Sequence, residues 1–135
     1  MGYCIQQRDN SFFIDKSNKQ LALKAIKDLA SKAHIKDSSG LHFMWVCVED
    51  FINTNTLEQA LDAWRWNTTQ DIEGNINGIH FQGEKYGDDK ILFQAIISYV
   101  KNGSFIEMQG EDGEIWRWTF NNGNFEEKYA KIVFN

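Results

Sequence analysis

The sequence predicts an α+β fold, in which an antiparallel sheet with a C-terminal three-stranded meander packs against about three helices. In the first third of the chain, apolar residues recur at intervals of three and four residues, which is typical of an amphipathic helix. In the last third they alternate with polar residues between short turn sequences, as half-buried antiparallel strands do. The chain has 135 residues and no linker or internal repeat, so we expect a single domain over residues 1–135.

The N-terminal residues predict a β-hairpin that leads into the first helix. Residues 2–8 and 11–15 are expected to be its strands, with residues 9–10 as the turn. The helix is expected to begin at Ser17, which has a glutamine three residues later as in a capping box, and to end near Ala33. The predicted apolar stripe of this helix consists of Leu21, Ala22, Ala25, Ile26, Leu29 and Ala33.

The middle of the chain predicts two strands and two shorter helices. Residues 36–40 are expected to form an exposed loop, followed by a buried strand or extended segment at 42–48. A second capping box predicts a helix of two to three turns that begins at Thr56. A strand is expected at 76–82, and Asp88 is expected to cap a further helix that an Asn-Gly pair ends.

The meander is the clearest prediction, because turn chemistry and apolar alternation agree on one register. Its strands are expected at 104–109, 114–120 and 124–134, with Gly113 in a left-handed bulge and Asn-Gly at 122–123 as a type I′ turn. A shift of one residue would mix apolar and polar faces. The predicted cross-strand neighbours are Met108 and Trp116, Ile106 and Trp118, Glu107 and Arg117, Phe120 and Phe125, and Trp116 and Tyr129.

Charge is unevenly distributed along the chain, whose formal net charge is −5. Residues 1–36 carry a net charge of +4 and the remainder carries −9. The negative total argues against broad nucleic-acid affinity, because nucleic-acid backbones attract basic surfaces. The first helix nevertheless offers a local contact for phosphate or RNA, with a solvated helix face as the alternative. Its candidate partner-binding lysines are Lys19, Lys24, Lys27 and Lys32.

Two aromatic clusters have the pattern Trp-Arg-Trp, at residues 64–66 and 116–118. Trp and Arg are frequent in binding hot spots. Strand alternation and helical spacing nevertheless place most of these rings in the core. Trp66, at the end of the short helix, is the ring that we expect to be partly exposed and to contact a partner.

The loop at residues 111–114 is expected to protrude as an acidic hairpin tip that meets a basic partner. Its candidate contact residues are Glu111, Asp112 and Glu114. The loop is too short for the calcium-binding loop of an EF-hand, so no metal is expected there. A solvated tip without a partner is the alternative.

No catalytic or metal-binding constellation is evident, and we expect a non-enzymatic protein without a cofactor or metal. The three histidines are scattered and lack the short spacings of zinc ligands. Cys4 and Cys47 are expected to be reduced, buried thiols, and neither lies in a nucleophile motif. An enzyme remains open only as a carboxylate pair, formed by Glu84 or Glu107 with another acidic residue.

Five short motifs lie between residues 83 and 118: Gly83-Glu84-Lys85-Tyr86-Gly87-Asp88, Leu92-Phe93, Gly103-Ser104, Gly110-Glu111-Asp112-Gly113 and Trp116-Arg117-Trp118. Through them, roughly residues 1–4 and 41–120 resemble a family of small uncharacterised proteins from bacteria and their mobile elements. The resemblance implies no activity and no catalytic residues. Small acidic proteins encoded by phages or mobile elements often block a host defence complex, so the resemblance implies an inhibitor of the anti-CRISPR kind.

These features predict a protein that binds a protein or ribonucleoprotein complex, as an inhibitor of a nucleic-acid-dependent host defence. The alternatives are an immunity protein that neutralises a toxin, a small hydrolase with a carboxylate pair, and a housekeeping interaction module. No apolar run is long enough to cross a bilayer, so we expect no membrane partner. The two cysteines, expected to be reduced, predict a cytoplasmic protein.

Overall fold

The computed structural model describes residues 2–131, which form four α-helices and nine strands in antiparallel sheets. The fold is therefore α+β, as the sequence predicts. The helices are α1 (Lys19–Asp28), α2 (Val48–Ile52), α3 (Leu57–Ala63) and α4 (Asp89–Ala95). The strands are β1 (Ile5–Ser11), β2 (Ile35–Asp37), β3 (Gly40–Phe43), β4 (Val46–Cys47), β5 (Trp66–Gln70), β6 (Ile76–Phe81), β7 (Ser104–Gly110), β8 (Ile115–Asn121) and β9 (Asn124–Tyr129).

The C-terminal meander is confirmed, including its register. The largest sheet has the strand order β1-β7-β8-β9, and all five predicted cross-strand pairs of the meander are present. Gly113 has a φ of 89°, and Asn122 and Gly123 have φ values of 51° and 79°, as a type I′ turn requires. β9 ends at Tyr129, and residues 132–134 of the predicted strand lie outside the described residues.

The predicted N-terminal hairpin is wrong. Asp9 and Asn10 lie within β1, which runs beside β7 without a turn and has a bulge at Arg8. The ladder with β7 pairs most of the backbone of β1, which outweighs the local turn preference of an Asp-Asn pair. Side chains of β1 also bind the neighbouring edge of β6, where the Gln7 amide donates to the Ile79 carbonyl at 2.8 Å. Asn10 Oδ1 accepts from the Ile79 N–H at 3.2 Å, so side chains connect the two sheets.

The first helix is present, but its start and its buried face differ from the prediction. A 3₁₀ turn at residues 16–18 precedes α1, and Asp15 caps that turn by accepting from the Ser17 N–H at 2.9 Å. Leu21 is 53% exposed, whereas Leu23, which lies outside the predicted stripe, is buried. A second 3₁₀ turn continues the helical segment to Lys32, close to the predicted end.

Residues 35–47 form two short hairpins instead of the predicted loop and single strand. β2 pairs with β3, and β3 pairs with β4. The chain reverses between β3 and β4 at Met44 and Trp45. Trp45 adopts a φ of 68°, which interrupts an extended strand, so the apolar run at 42–48 is divided among β3, the turn, β4 and the start of α2.

The short helix after Thr56 is confirmed with its cap, since the Thr56 hydroxyl accepts from the Gln59 N–H at 3.1 Å. The prediction of a partly exposed Trp66 that contacts a partner is wrong, because this ring is completely buried. The chain leaves the helix at Trp64 and passes through Arg65, which has a φ of 74°, into β5. The sequence pattern did not predict β5, which directs the Trp66 ring into the core.

The next strand and helix lie where they were expected, with different ends. β6 matches the predicted strand to within one residue, and α4 begins directly after Asp88. The Asp88 side chain makes no capping hydrogen bond. A 3₁₀ turn at residues 97–99 follows α4, so the helical segment stops before the Asn-Gly pair at 102–103.

The aromatic clusters pack mainly inside the protein. Trp64, Trp66 and Trp118 are completely buried, and Trp116 is 2% exposed. Phe93 of α4 lies against Trp66 and Trp118 with ring centroids 5.0 and 5.7 Å apart, which joins the helix to the four-stranded sheet. Aromatic contacts of this kind favour a single packed core.

Candidate partner-binding surface

Residues 83–88, Gly-Glu-Lys-Tyr-Gly-Asp, wrap around the side chain of Arg65. Arg65 Nη1 donates to the Lys85 carbonyl at 2.8 Å. Gly83 and Gly87 let the backbone approach the guanidinium, because a Cβ atom at either position would lie 2.9 Å from one of its Nη atoms. The Gly-Glu-Lys-Tyr-Gly-Asp motif is therefore a loop built around one arginine. We call it the 83–88 loop.

A buried carboxylate fixes the arginine inside this loop. Asp89 is completely buried and lies 3.0 Å from Arg65 Nη2. It also accepts hydrogen bonds from Trp66 Nε1 at 3.0 Å and from the Gly87 N–H at 3.2 Å. Burial raises the pKa of Asp89, and the Arg65 guanidinium and the Trp66 donor oppose that shift. These contacts make Asp89 and Arg65 supports of the loop, since the carboxylate has several internal donors and no exposure.

The turn between β3 and β4 packs against one side of the 83–88 loop. The Met44 N–H donates to Asp88 Oδ2 at 2.9 Å, and Trp45 Nε1 donates to the Tyr86 carbonyl at 3.4 Å. The Trp45 ring also lies against Gly87, where a Cβ atom would be 2.8 Å from its Cδ1. Trp45 nevertheless remains 49% exposed. The turn therefore holds a large aromatic side chain in a defined position at the surface.

The N-terminal segment packs against the other side of the same loop. The Tyr86 N–H donates to the Tyr3 carbonyl at 2.7 Å, and the Ile5 N–H donates to the Glu84 carbonyl at 2.9 Å. Lys85 Nζ lies 3.0 Å from Cys4 Sγ, and this hydrogen bond raises the pKa of Lys85. Cys4 is half-buried rather than fully buried, as is Cys47, and both are free thiols as expected.

The acidic hairpin tip docks on the N-terminal segment. Glu111 Oε1 accepts from the Cys4 N–H at 2.8 Å, and the Tyr3 hydroxyl donates to Asp112. That hydrogen bond raises the pKa of Tyr3 to about 12 and lowers the pKa of Asp112. A Cβ atom on Gly110 would overlap the Tyr3 ring, so the glycine lets this ring lie against the end of β7.

These contacts join three segments into one surface around the 83–88 loop. We call it the composite surface and define it as Tyr3, Cys4, Met44, Trp45, residues 83–88 and residues 111–114. Within residues 2–131, the carboxylates of its loop and tip form no salt bridge to a lysine or arginine. Asp88 contacts a histidine, His34, at 2.7 Å. The predicted tip residues Glu111, Asp112 and Glu114 are all exposed. The surface therefore has an aromatic end and an acidic end.

The candidate lysines of the first helix are in different environments. Lys19 Nζ lies 2.5 Å from Glu58 Oε2, and Lys24 Nζ lies 3.0 Å from the carboxylate four residues later. Lys27 is half-buried and Lys32 is exposed, and neither forms a salt bridge within the described residues. Two of the four predicted phosphate contacts are thus already engaged by carboxylates.

Large exposed apolar side chains concentrate near the aromatic end. Seven large hydrophobic residues are at least 39% exposed within the described chain, and four of them lie between β3 and the end of α2. These four are Leu41, Met44, Trp45 and Ile52. Leu41 and Ile52 line a groove of about 300 Å³ together with Glu49 and Asp50. Clustered exposed apolar residues mark interaction sites more often than isolated ones. The sequence pattern does not reveal this cluster, because the apolar run at residues 42–48 predicts a strand and hides the turn.

The two glutamates considered for a catalytic pair occupy different surroundings. Glu107 lies 2.8 Å from Arg117 Nε and 3.3 Å from Arg8 Nε on the outer face of the sheet. Glu84 is exposed on the 83–88 loop. Among residues 2–131, no group of three or more His, Cys, Asp or Glu side chains could hold a metal ion. In the same residues, no helix is long and apolar enough to span a membrane.

Comparisons of this chain with protein-family models, curated proteins and solved structures found no match. The fold and the composite surface supply the physical basis for the function proposed below.

Proposed function

We propose that this protein is a non-enzymatic inhibitor that binds the nucleic-acid-binding surface of a host defence complex, in the manner of an anti-CRISPR protein. One observation carries the proposal: the composite surface combines a half-exposed Trp45 with an acidic tip, Glu111, Asp112 and Glu114, whose carboxylates form no salt bridge within residues 2–131. The partner is a protein or ribonucleoprotein complex with a basic groove.

Charge complementarity favours such a partner. Proteins that bind nucleic acids carry lysines and arginines along a groove and often aromatic rings for base stacking. The exposed carboxylates at residues 111–114 would occupy positions that phosphates take in that groove. Within the described part of the chain, these carboxylates form no salt bridge that would first have to break. Complementary charge of this kind speeds association and sets specificity.

Trp45 would supply most of the binding energy. Tryptophan is strongly enriched in binding hot spots, where its large ring is buried by the partner. Its backbone hydrogen bond through Nε1 and its contact with Gly87 hold the ring before binding, so little side-chain freedom is lost when a partner covers it. Binding through the lysines of α1 is less favourable, because Lys19 and Lys24 would have to leave carboxylates that already pair with them.

The proposal can be tested in two stages. Tagged protein is expressed in host cells that carry a nuclease–guide complex, and the captured partners are identified by mass spectrometry. The purified complex is then incubated with labelled target DNA, and displacement of the DNA is followed by fluorescence anisotropy. We expect the protein to displace the DNA stoichiometrically. Capture of a toxin instead would identify an immunity protein, and DNA that stays bound at saturating protein would contradict the proposal.

Matched variants locate the binding surface. Trp45→Ala should weaken DNA displacement by roughly 30-fold, the effect of losing a binding hot spot. Ile72→Ala serves as the control, since Ile72 is fully exposed on the turn between β5 and β6. Glu114→Lys should weaken displacement and flatten its salt dependence, whereas Glu73→Lys should not. Equal effects of the surface and control variants would show that the composite surface is not the interface.

A further inference from the structure

Strand β9 forms an edge of the four-stranded sheet. Its only strand neighbour within residues 2–131 is β8. The two-residue turn at 122–123 closes the hairpin at the pair Asn121–Asn124, and the Ala130 N–H donates to the Ile115 carbonyl at 2.9 Å. Hydrogen-bonded pairs alternate along an antiparallel ladder. The even-numbered residues of β9 therefore bond to β8, and Phe125, Glu127 and Tyr129 direct their N–H and C=O groups toward the open edge.

We propose that a second copy of this chain pairs with β9 along this open edge, antiparallel and about a two-fold axis at Glu127. In this register Phe125 lies opposite Tyr129 of the second copy, and Glu126 lies opposite Lys128 of the second copy. Because the axis relates the two strands, each of these pairs occurs twice. This inference concerns assembly and does not depend on the proposed function.

The charge pattern selects this register from those that the ladder permits. Only registers that pair odd-numbered residues with odd-numbered residues complete the outward-facing hydrogen bonds. A two-fold axis at Glu126 or at Lys128 would place two like charges directly opposite each other, which is destabilising. An axis at Phe125 or Tyr129 would pair no more than half of the six residues of β9. The axis at Glu127 pairs opposite charges on the outer face and aromatic rings on the inner face. It also places the two copies of Glu127 opposite each other, but each of them, unlike Glu126 and Lys128, has a counter-charge in its own subunit.

The two charged side chains are available for this contact. Glu126 and Lys128 are exposed, and neither forms a salt bridge in the described part of the chain. They lie at positions that do not hydrogen-bond across the proposed interface, where side chains approach most closely. Their charges can therefore meet those of the second copy without competition from internal partners.

The central pair of glutamates is compensated within each copy. Glu127 accepts from Trp118 Nε1 at 2.9 Å and from the Tyr129 hydroxyl at 3.0 Å, and it lies 3.5 Å from Lys90 Nζ. Although burial acts in the opposite direction, the hydrogen bonds from Trp118 and Tyr129 hold the pKa of Glu127 below its ordinary value. The Lys90 ammonium of the same subunit therefore offsets the charge of each Glu127 carboxylate, which reduces repulsion across the axis.

Charge reversal tests the register directly. The molar mass of the purified chain is measured by sedimentation equilibrium over a range of concentrations. We expect a concentration-dependent dimer that Glu126→Lys or Lys128→Glu alone weakens roughly tenfold, because each places like charges opposite each other twice. The double variant Glu126→Lys/Lys128→Glu restores opposite charges and should recover the dimer. Lys16→Glu, at an exposed position outside the sheet, is the control.

Cysteine cross-linking separates this register from its neighbours. Glu126→Cys/Lys128→Cys should form a disulfide-linked dimer under mild oxidation, while Glu126→Cys alone should not exceed the background of the native thiols. Circular dichroism confirms that each variant is folded. A chain that stays monomeric at all concentrations would overturn the proposal, as would failure of the double charge reversal to restore a dimer that the single changes weaken. Strong cross-linking of Glu126→Cys alone would overturn this register.

Discussion

Gly87 and Trp45 are in direct contact, at a distance that leaves no room for a side chain at position 87. A Cβ atom there would lie 2.8 Å from Cδ1 of Trp45 and 2.9 Å from Arg65 Nη2. We expect Gly87→Ala to displace the indole and to lower the free energy of unfolding by about 1–3 kcal/mol, as overpacking does. Acrylamide quenching measures the displacement, because Trp45 alone among the five tryptophans is exposed in the described structure. Unchanged quenching and stability would contradict this contact.

Trp45 has a left-handed backbone conformation, with a φ of 68°. Such a conformation costs a non-glycine residue about 1–2 kcal/mol. We expect Trp45→Gly to be more stable than Trp45→Ala by about 1 kcal/mol. Both variants lose the ring, but only glycine adopts the left-handed backbone conformation without strain. Urea unfolding measures the difference. If the alanine variant is equally stable, the strain at this turn is absent.

The buried pair of Asp89 and Arg65 should dominate the stability of the 83–88 loop. Asp89→Asn leaves the Arg65 guanidinium without its counter-charge, so the free energy of unfolding should fall by about 3 kcal/mol or more. Asp89→Leu combined with Arg65→Met should be less destabilising than Asp89→Leu alone, because no unpaired charge remains. Chemical denaturation of the single and double variants measures the coupling. Additive losses would show that the two side chains act independently.

Asp37 and His42 form a pair at the surface in which each side chain shifts the pKa of the other. Hydrogen bonds from Ser39 and then from His42 lower the pKa of Asp37 to about 2, and the bond to Asp37 raises the pKa of His42. The Asp37 contribution to stability is present above its unfolded pKa of about 3.9 and is lost as pH falls toward the folded pKa. The His42 contribution is present below its unfolded pKa of about 6.5 and is lost as pH rises through the folded pKa. The pair therefore stabilises the fold most between about pH 4 and pH 6.5.

NMR titration of the His42 imidazole tests this pair. Asp37→Asn should return the pKa of His42 toward its ordinary value, because the variant removes the negative charge that stabilises the protonated imidazole. Asp62→Asn, on the exposed side of α3, should leave the His42 titration unchanged. A His42 pKa that does not respond to Asp37→Asn would show that the pair does not form in solution.

Tyr3 reports the docking of the N-terminal segment on the acidic tip. Its pKa is raised to about 12, mainly by the hydrogen bond to Asp112. Gly110→Ala should displace the Tyr3 ring and return its pKa toward 10.0, the ordinary value. The ultraviolet absorbance of ionised tyrosine is titrated in each protein and in the same protein that also carries Tyr3→Phe. The difference between the two titration curves gives the pKa of Tyr3. A Tyr3 pKa of about 12 in Gly110→Ala would mean that the ring does not lie over Gly110.

Local signals predicted the meander and its register well. The Asn-Gly turn and the glycine in the Glu-Asp-Gly tip require positive φ, and the apolar alternation of β7 and β8 admits one pairing. The Thr56 cap is equally local, since donor and acceptor lie three residues apart. The three acidic residues of the hairpin tip could be named as exposed for the same reason. These features depend on interactions between residues that are close together in the sequence, so local sequence patterns predict them.

Long-range contacts decided the rest. The Asp-Asn pair at 9–10 has turn chemistry, yet pairing with β7 keeps it extended, and Trp66 is buried because β5 continues from a left-handed Arg65. The composite surface forms because the 83–88 loop closes around Arg65 and contacts two segments that are distant in the sequence, the N-terminal segment at Tyr3 and the turn at Met44. The sequence determined which residues could form turns, helix caps and strands of alternating polarity. Tertiary structure chose among those options, because ladder hydrogen bonds and burial outweigh local preferences of a few tenths of a kcal/mol to about 1 kcal/mol.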